Sequence, residues 1–161
     1  MVSSPGPLLQ LPVSVLAESS HFLKFIFREE RTQFGRATFR SVDVELTKEY
    51  RFEAAHRLPC VPEGHKCSRM HGHSYKVEIS VAGPVDPATG WLIDFGVIDD
   101  AWAELHTRFD HHNLNEVPGL ENSTCENIAG YIWGVLRPRI APLSAVTVWE
   151  TYDSKCTYRG G

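Results

Sequence analysis

Apolar and polar residues alternate through "SVDVELTKEYRFEAAHRL" (41–58), where Val42, Val44, Leu46, Tyr50 and Phe52 share one parity and Lys48 interrupts it. Successive strand side chains point to opposite faces, so a period of two predicts a half-buried strand. The alternation returns in "HSYKVEISVAG" (73–83) through Tyr75, Val77, Ile79 and Val81, and "PVDPATGW" (84–91) has the Pro, Asp and Gly of a turn. Beyond it the period lengthens. Phe95, Ile98, Trp102, Leu105 and Phe109 recur every three or four residues behind a capping Asp94, which predicts a helix. A second helix opens at "STCE", where Ser123 and Glu126 have capping-box spacing. Its stripe is Ile128, Ile132, Val135 and Leu136, and Pro138 stops it. "SAVTVWET" (144–151) and "SKCTYR" (154–159) read as two closing strands. The order ββααββ, with helices segregated from strands, predicts the α+β class: a four-stranded antiparallel sheet with two helices on one face. So few strands leave edges to cover, and a homo-oligomer is the expected way to cover them.

Composition narrows the classes. The 161 residues suffice for one domain with a core. A net charge of −4 argues against nucleic acid as a partner, and no apolar run approaches the roughly 18 residues of a membrane span. The four cysteines are irregularly spaced, which fits a reduced, cytoplasmic setting better than a disulfide framework. Residues 1–40 carry five Lys/Arg against three Asp/Glu and start with no basic residue ahead of their apolar stretch. They read as an N-terminal extension, disordered or at most a short strand or helix at 21–34. The domain proper is 41–161.

The chemistry gathers in "PEGHKCSRMHGHSYKVE" (62–78). His71 and His73, two apart at a strand entry, share a face, and His56 ends the preceding strand. If the strands pair antiparallel, the three imidazoles converge. Three protein ligands with space beside them are what a catalytic zinc ion needs. A closed site with Cys67 as fourth ligand has the same spacing, so both arrangements stay open here. His65 reads as a solvated loop residue. In "FDHHNLN" (109–115) Asp110 can orient His111 and make it a better base towards a thiol. Glu150 has the parity of Val146 and Val148, and a carboxylate in register with a buried face is costly unless paired or used.

Taken together, "FEAAHRL", "GHKCSRMHGHSYKVE", "GWLIDFG", "FDHHNLN", "STCEN" and "SAVTVWET" resemble the family of 6-pyruvoyl- and 6-carboxy-tetrahydropterin synthases, from about Tyr50 to Gly160. "LPCVPEGHKC" and the closing "CTYRG" look more like the bacterial 6-carboxy branch. The resemblance implies the tunnelling fold, ββααββ, in trimeric barrels stacked as a hexamer (a dimer of trimers) with active sites at subunit interfaces. It implies Zn2+ on His56, His71 and His73, Cys67 as general base, and Asp110 with His111 as the pair that activates it. Glu150 matches the carboxylate that anchors the pterin ring, and Thr124 and Glu126 lie in a segment that helps to line the pterin pocket. The implied reaction is a lyase step on 7,8-dihydroneopterin triphosphate. Its products would be 6-carboxy-tetrahydropterin, acetaldehyde and triphosphate, towards the 7-deazapurine of queuosine. The triphosphate calls for cations, with Lys66 and Arg69 nearby. Two alternatives remain at this stage: 6-pyruvoyl chemistry, and a zinc-stabilised binding module without turnover.

Overall fold

Alternation in the chain becomes a sheet in the computed structural model, which describes residues 42–161. The readings made for residues 1–40 lie outside the described residues. Strand β1 (Asp43–His56) and strand β2 (His71–Pro84) pair antiparallel along their whole length, from Asp43 opposite Pro84 to His56 opposite His71. Helix α1 (Phe95–Phe109) follows, then a two-residue strand β3 (His112–Asn113) and helix α2 (Cys125–Leu136). Strands β4 (Leu143–Trp149) and β5 (Lys155–Tyr158) close the chain as an antiparallel pair, with β4 against β2. The sheet order is β3-β1-β2-β4-β5.

Five strands stand where four were expected. The fifth, β3, lies parallel to β1 at Ala54 and Ala55. Two residues carry no period, so the alternation rule had nothing to detect. The sheet is otherwise antiparallel, as expected, and within one chain it is open.

One face of the sheet is apolar and both helices cover it. Phe52, Tyr75, Val77, Ile79, Val146 and Val148 are buried there. Ile98, Trp102, Leu105 and Phe109 of α1, and Ile128, Ile132 and Leu136 of α2, are buried against them in one cluster. Phe52 and Tyr75 face each other across β1 and β2 with rings stacked 4.8 Å apart. Lys48, the break in the first alternation, keeps the inward parity but ends on Asp99 of α1, with Tyr50 donating to the same carboxylate at 2.8 Å. The other face is polar, with Thr47 against Ser80 and Lys76 between Glu49 and Glu78.

Asp94 caps α1 as read from the sequence, its Oδ1 accepting from the Gly96 N–H at 2.8 Å. At α2 the cap differs. Thr124, not Ser123, accepts from the first turn, from the Asn127 N–H at 3.3 Å. Ser123 is fully buried and engaged elsewhere, which moves the cap one residue on and puts Glu126 out of capping-box register. Helix α2 ends at Leu136, ahead of Pro138. Replacing Thr124 by Ala should lower unfolding free energy by about 1 kcal/mol. Glu126→Gln should change it by no more than about 0.5 kcal/mol. Urea titration of the two variants checks the cap assignment.

Candidate metal centre and adjoining cavities

The apolar face of the β1–β2 pair runs out into imidazoles. Below Phe52 and Tyr75 come Ala54 opposite His73, then His56 opposite His71, so all three histidines stand on the helix-covered face at one end of the sheet. Their ring centroids are 4.6, 5.1 and 5.0 Å apart pairwise. One ligand atom from each lies within 4.8 Å of the others, and this is the group of metal-competent side chains found among the described residues. Cys67 is not part of it.

Backbone carbonyls orient two of the rings. Nδ1 of His56 lies 2.9 Å from the Ser123 carbonyl, and Nδ1 of His71 lies 2.8 Å from the Arg69 carbonyl. A carbonyl only accepts, so each Nδ1 carries the proton and donates it, and each Nε2 presents a lone pair. A ring nitrogen so held is the usual second partner of a metal-ligating histidine. His56 is fully buried, and its Nε2 has no hydrogen-bond partner. What faces it is Glu150 Oε1 at 3.3 Å, with Nε2 of His73 3.8 Å from the same oxygen. A lone pair and a carboxylate oxygen this close repel each other unless a cation lies between them. The orphaned buried nitrogen, the three-nitrogen donor set and the facing carboxylate therefore fit a divalent metal ion.

Burial pushes the His56 imidazole below its usual range, against opposing pulls from the Ser123 carbonyl and Glu150. His73 is lowered for the same reason, with Glu150 opposing. Both rings are thus held neutral, the form that ligates. Tyr75, packed edge-on to both at 5.9 and 5.6 Å, has its phenol pKa raised by burial and, less, by Glu150.

Asn115, the last residue of "FDHHNLN", had no role in the sequence reading. Its Oδ1 accepts from the Arg57 N–H at 2.8 Å, and its Nδ2 lies within 3.2 Å of the Arg57 and Glu121 carbonyls and the Ser123 hydroxyl. It thereby ties the end of β1 to the segment whose Ser123 carbonyl holds His56. Neither it nor Ser123 carries metal-ligand chemistry, so spacing rules pass over both. His65, read as solvated, is exposed, but its Nδ1 accepts from the Cys67 N–H at 3.1 Å and caps the 3-10 turn Lys66–Ser68.

A cavity of about 520 Å³ is lined by Cys67, His71, His73 and Glu150, together with Leu58, Lys66, Arg69, Met70 and Thr151. A second cavity, also about 520 Å³, is lined by Glu53, Gly72, His73, Ser74 and His111 among others. Cys67 and His111 thus open into different cavities, with His73 common to both. His111 sits at the corner after α1 with φ 61°, the left-handed region that non-glycine residues seldom occupy. Its Nδ1 is 2.9 Å from Asp110 Oδ2. Asp110 is held below the usual carboxylate range, first by the Glu53 N–H that it accepts and then by His111. Thr124 and Glu126 lie at the start of α2 and line neither cavity; the segment reaches the histidines through Ser123.

His56 and His73 set a pH dependence. Their folded-state values lie below the ordinary 6.5, so on acidification the unfolded chain takes up protons that the folded chain refuses. Stability is held above that pH and lost below it. The urea midpoint of chelator-treated protein should fall between about pH 7 and pH 5, and fall less in His73→Gln.

Likeness to known proteins agrees with this geometry. The family model described as 6-pyruvoyl tetrahydropterin synthase matches residues 45–161. A 6-carboxy-5,6,7,8-tetrahydropterin synthase of Synechocystis is 40% identical over 121 residues, spanning 70% of this chain and 91% of that relative. The human 6-pyruvoyl tetrahydrobiopterin synthase is 32% identical over 138 residues, 75% of this chain and 94% of its own. The solved 6-pyruvoyl tetrahydropterin synthase of Caenorhabditis elegans superposes with a TM-score of 0.71 at 29% identity, covering 76% of this chain and 99% of that one. A three-histidine centre at the end of a β1–β2 pair, on a chain matched this far along its length, places the protein in the 6-pyruvoyl tetrahydropterin synthase family.

Proposed function

We propose that the chain is a zinc-dependent pterin lyase of the 6-carboxy-tetrahydropterin type, acting on 7,8-dihydroneopterin triphosphate. Membership of a pterin-lyase family supports the reaction class, and the 40% identity to the Synechocystis synthase favours the 6-carboxy branch. The observation that carries the mechanism is the cavity that gathers Cys67, His71, His73 and Glu150. On this reading the products are 6-carboxy-tetrahydropterin, acetaldehyde and triphosphate, a step towards the 7-deazapurine of queuosine.

His56, His71 and His73 would hold the zinc ion, whose chemistry there is to polarise a substrate oxygen and ease loss of the neighbouring carbon-bound proton. Cys67, as thiolate, takes that proton. Glu150 accepts two hydrogen bonds from the pterin's guanidine-like edge and so fixes the side chain over the histidines. In that state its carboxylate turns from the imidazoles to the ring. Asp110 orients His111 through its Nδ1, leaving the other ring nitrogen to exchange a proton with a thiol. Since Cys67 and His111 open into different cavities of one chain, we assign this pairing to two copies in an oligomer, the hexamer of the family being the natural candidate. Thr124 and Glu126 keep a place near the pterin only as neighbours of Ser123. With four free thiols and no helix among the described residues long and apolar enough to cross a membrane, we assign the protein to the cytoplasm.

The 6-pyruvoyl reading uses the same residues and differs in product, and a binding module without turnover would use Cys67 as a ligand. One assay separates all three. Cys67→Ala should keep about one zinc per chain and its fold while losing more than about 100-fold in kcat. Wild-type turnover should release acetaldehyde in step with triphosphate. Loss of zinc from the variant would move Cys67 into the metal shell; absence of acetaldehyde would leave the 6-pyruvoyl product. Mixing refolded Cys67→Ala with His111→Ala subunits should restore part of the activity, because some interfaces then pair an intact thiol with an intact imidazole.

A further inference from the structure

The His56 ring meets Ser123 twice. Its Nδ1 lies 2.9 Å from the Ser123 carbonyl and 3.4 Å from the Ser123 hydroxyl. The two groups ask for opposite tautomers. A carbonyl accepts and so puts the ring proton on Nδ1, whereas a hydroxyl can donate to a bare Nδ1 and send the proton to Nε2. Only the first tautomer leaves Nε2, the buried nitrogen without a partner, a lone pair for a metal ion. Both residues are fully buried, so bulk water does not arbitrate. The outcome depends on how Ser123 is held.

The side chain that holds it is Asn115. On Arg57, the residue after His56, its amide does what a neighbouring strand's peptide group would do. Oδ1 accepts from the Arg57 N–H at 2.8 Å and Nδ2 donates to the Arg57 carbonyl at 2.9 Å. The parallel pairing of β3 with β1, at Ala54 and Ala55, is thus continued past the strand end by a side chain. That anchor also fixes the amide's orientation. With Oδ1 committed to a donor, Nδ2 must face the remaining acceptors, the Glu121 carbonyl at 3.0 Å and the Ser123 hydroxyl oxygen at 3.2 Å. A donor aimed at Ser123 Oγ engages that oxygen as an acceptor. The bond to Glu121 pins the backbone two residues ahead of Ser123.

We propose that Asn115 is a positioning residue of the metal centre: it holds Ser123 so that the carbonyl, and not the hydroxyl, takes Nδ1 of His56, and so sets the tautomer on which metal affinity depends. This rests on the metal reading of the three histidines and not on the pterin reaction. His71 supplies an internal control. Its Nδ1 proton goes to the Arg69 carbonyl, in a segment to which Asn115 makes no hydrogen bond.

Two-bond proton–nitrogen NMR spectra of the metal-free protein at about pH 8, where an ordinary imidazole is neutral, read the two tautomers separately. The wild type should carry the proton on Nδ1 in both His56 and His71. Asn115→Ala should leave His71 unmoved and shift His56 towards a mixture, with zinc affinity weakened about tenfold or more. Asn115→Gln, which keeps an amide but displaces it by one methylene, should do the same and serves if the alanine variant does not fold. Adding Ser123→Ala to either variant removes the competing hydroxyl and keeps the carbonyl. The double variant should return His56 to the Nδ1–H form and recover most of the zinc affinity without recovering stability, a rescue that a purely structural role for Asn115 does not give. A wild-type His56 protonated on Nε2, equal shifts at His56 and His71, unchanged zinc affinity, or a double variant no better than the single one would overturn the assignment. A wild type that binds no zinc, with His56 alone responding to Asn115, would overturn the metal reading and leave the control of the tautomer standing.

Discussion

Three imidazoles cannot stand together at the end of an apolar sheet face unless their nitrogens are each given something to do. That constraint organises this end of the molecule. The β1–β2 register sets His56 against His71 and places His73 one step up the same face. A slip of β2 by one residue would turn His71, His73 and Tyr75 to the opposite face, away from His56 and Phe52 on β1. Core packing and site geometry therefore depend on the same pairing. Tyr75, stacked on Phe52 across the two strands, is also the floor under His56 and His73.

Register alone would leave the rings free to choose a tautomer. That choice is made by backbone carbonyls from outside the strands, Ser123 ahead of α2 and Arg69 at the end of the turn. The loops thus act as the orienting layer, and Asn115 braces one of them through four short contacts. Glu150 enters from a third direction, just beyond β4, with the parity of Val146 and Val148. Strands supply position, loops supply proton placement, and the strand end supplies charge.

Much of this was legible in the residues. Strand parity brings His56, His71 and His73 to one face, and the same rule marks Glu150 as a carboxylate on an apolar register. Helix periods fix α1 and α2 closely, because five and four buried residues repeat along them. What was not legible has physical causes. Ser123 and Thr124 are both good caps, and only the tertiary demand of His56 and Asn115 on Ser123 decides between them. Strand β3 is too short for a period and exists because the left-handed turn at His111 swings the chain back along β1. The separation of Cys67 from His111 into two cavities depends on how β1 and β2 divide the space, and neighbouring motifs say nothing about that.

The bond between His56 and the Ser123 carbonyl joins positions 67 residues apart. Its consequence is temporal. A chain emerging from synthesis completes the β1–β2 hairpin, with all three histidines, long before Ser123 exists to set the tautomer of His56. A metal ion meeting that hairpin early finds three rings but only one of the two carbonyl orienters. Metal affinity would then rise only with the last third of the chain, so that binding at these rings would report completion of the fold rather than its beginning.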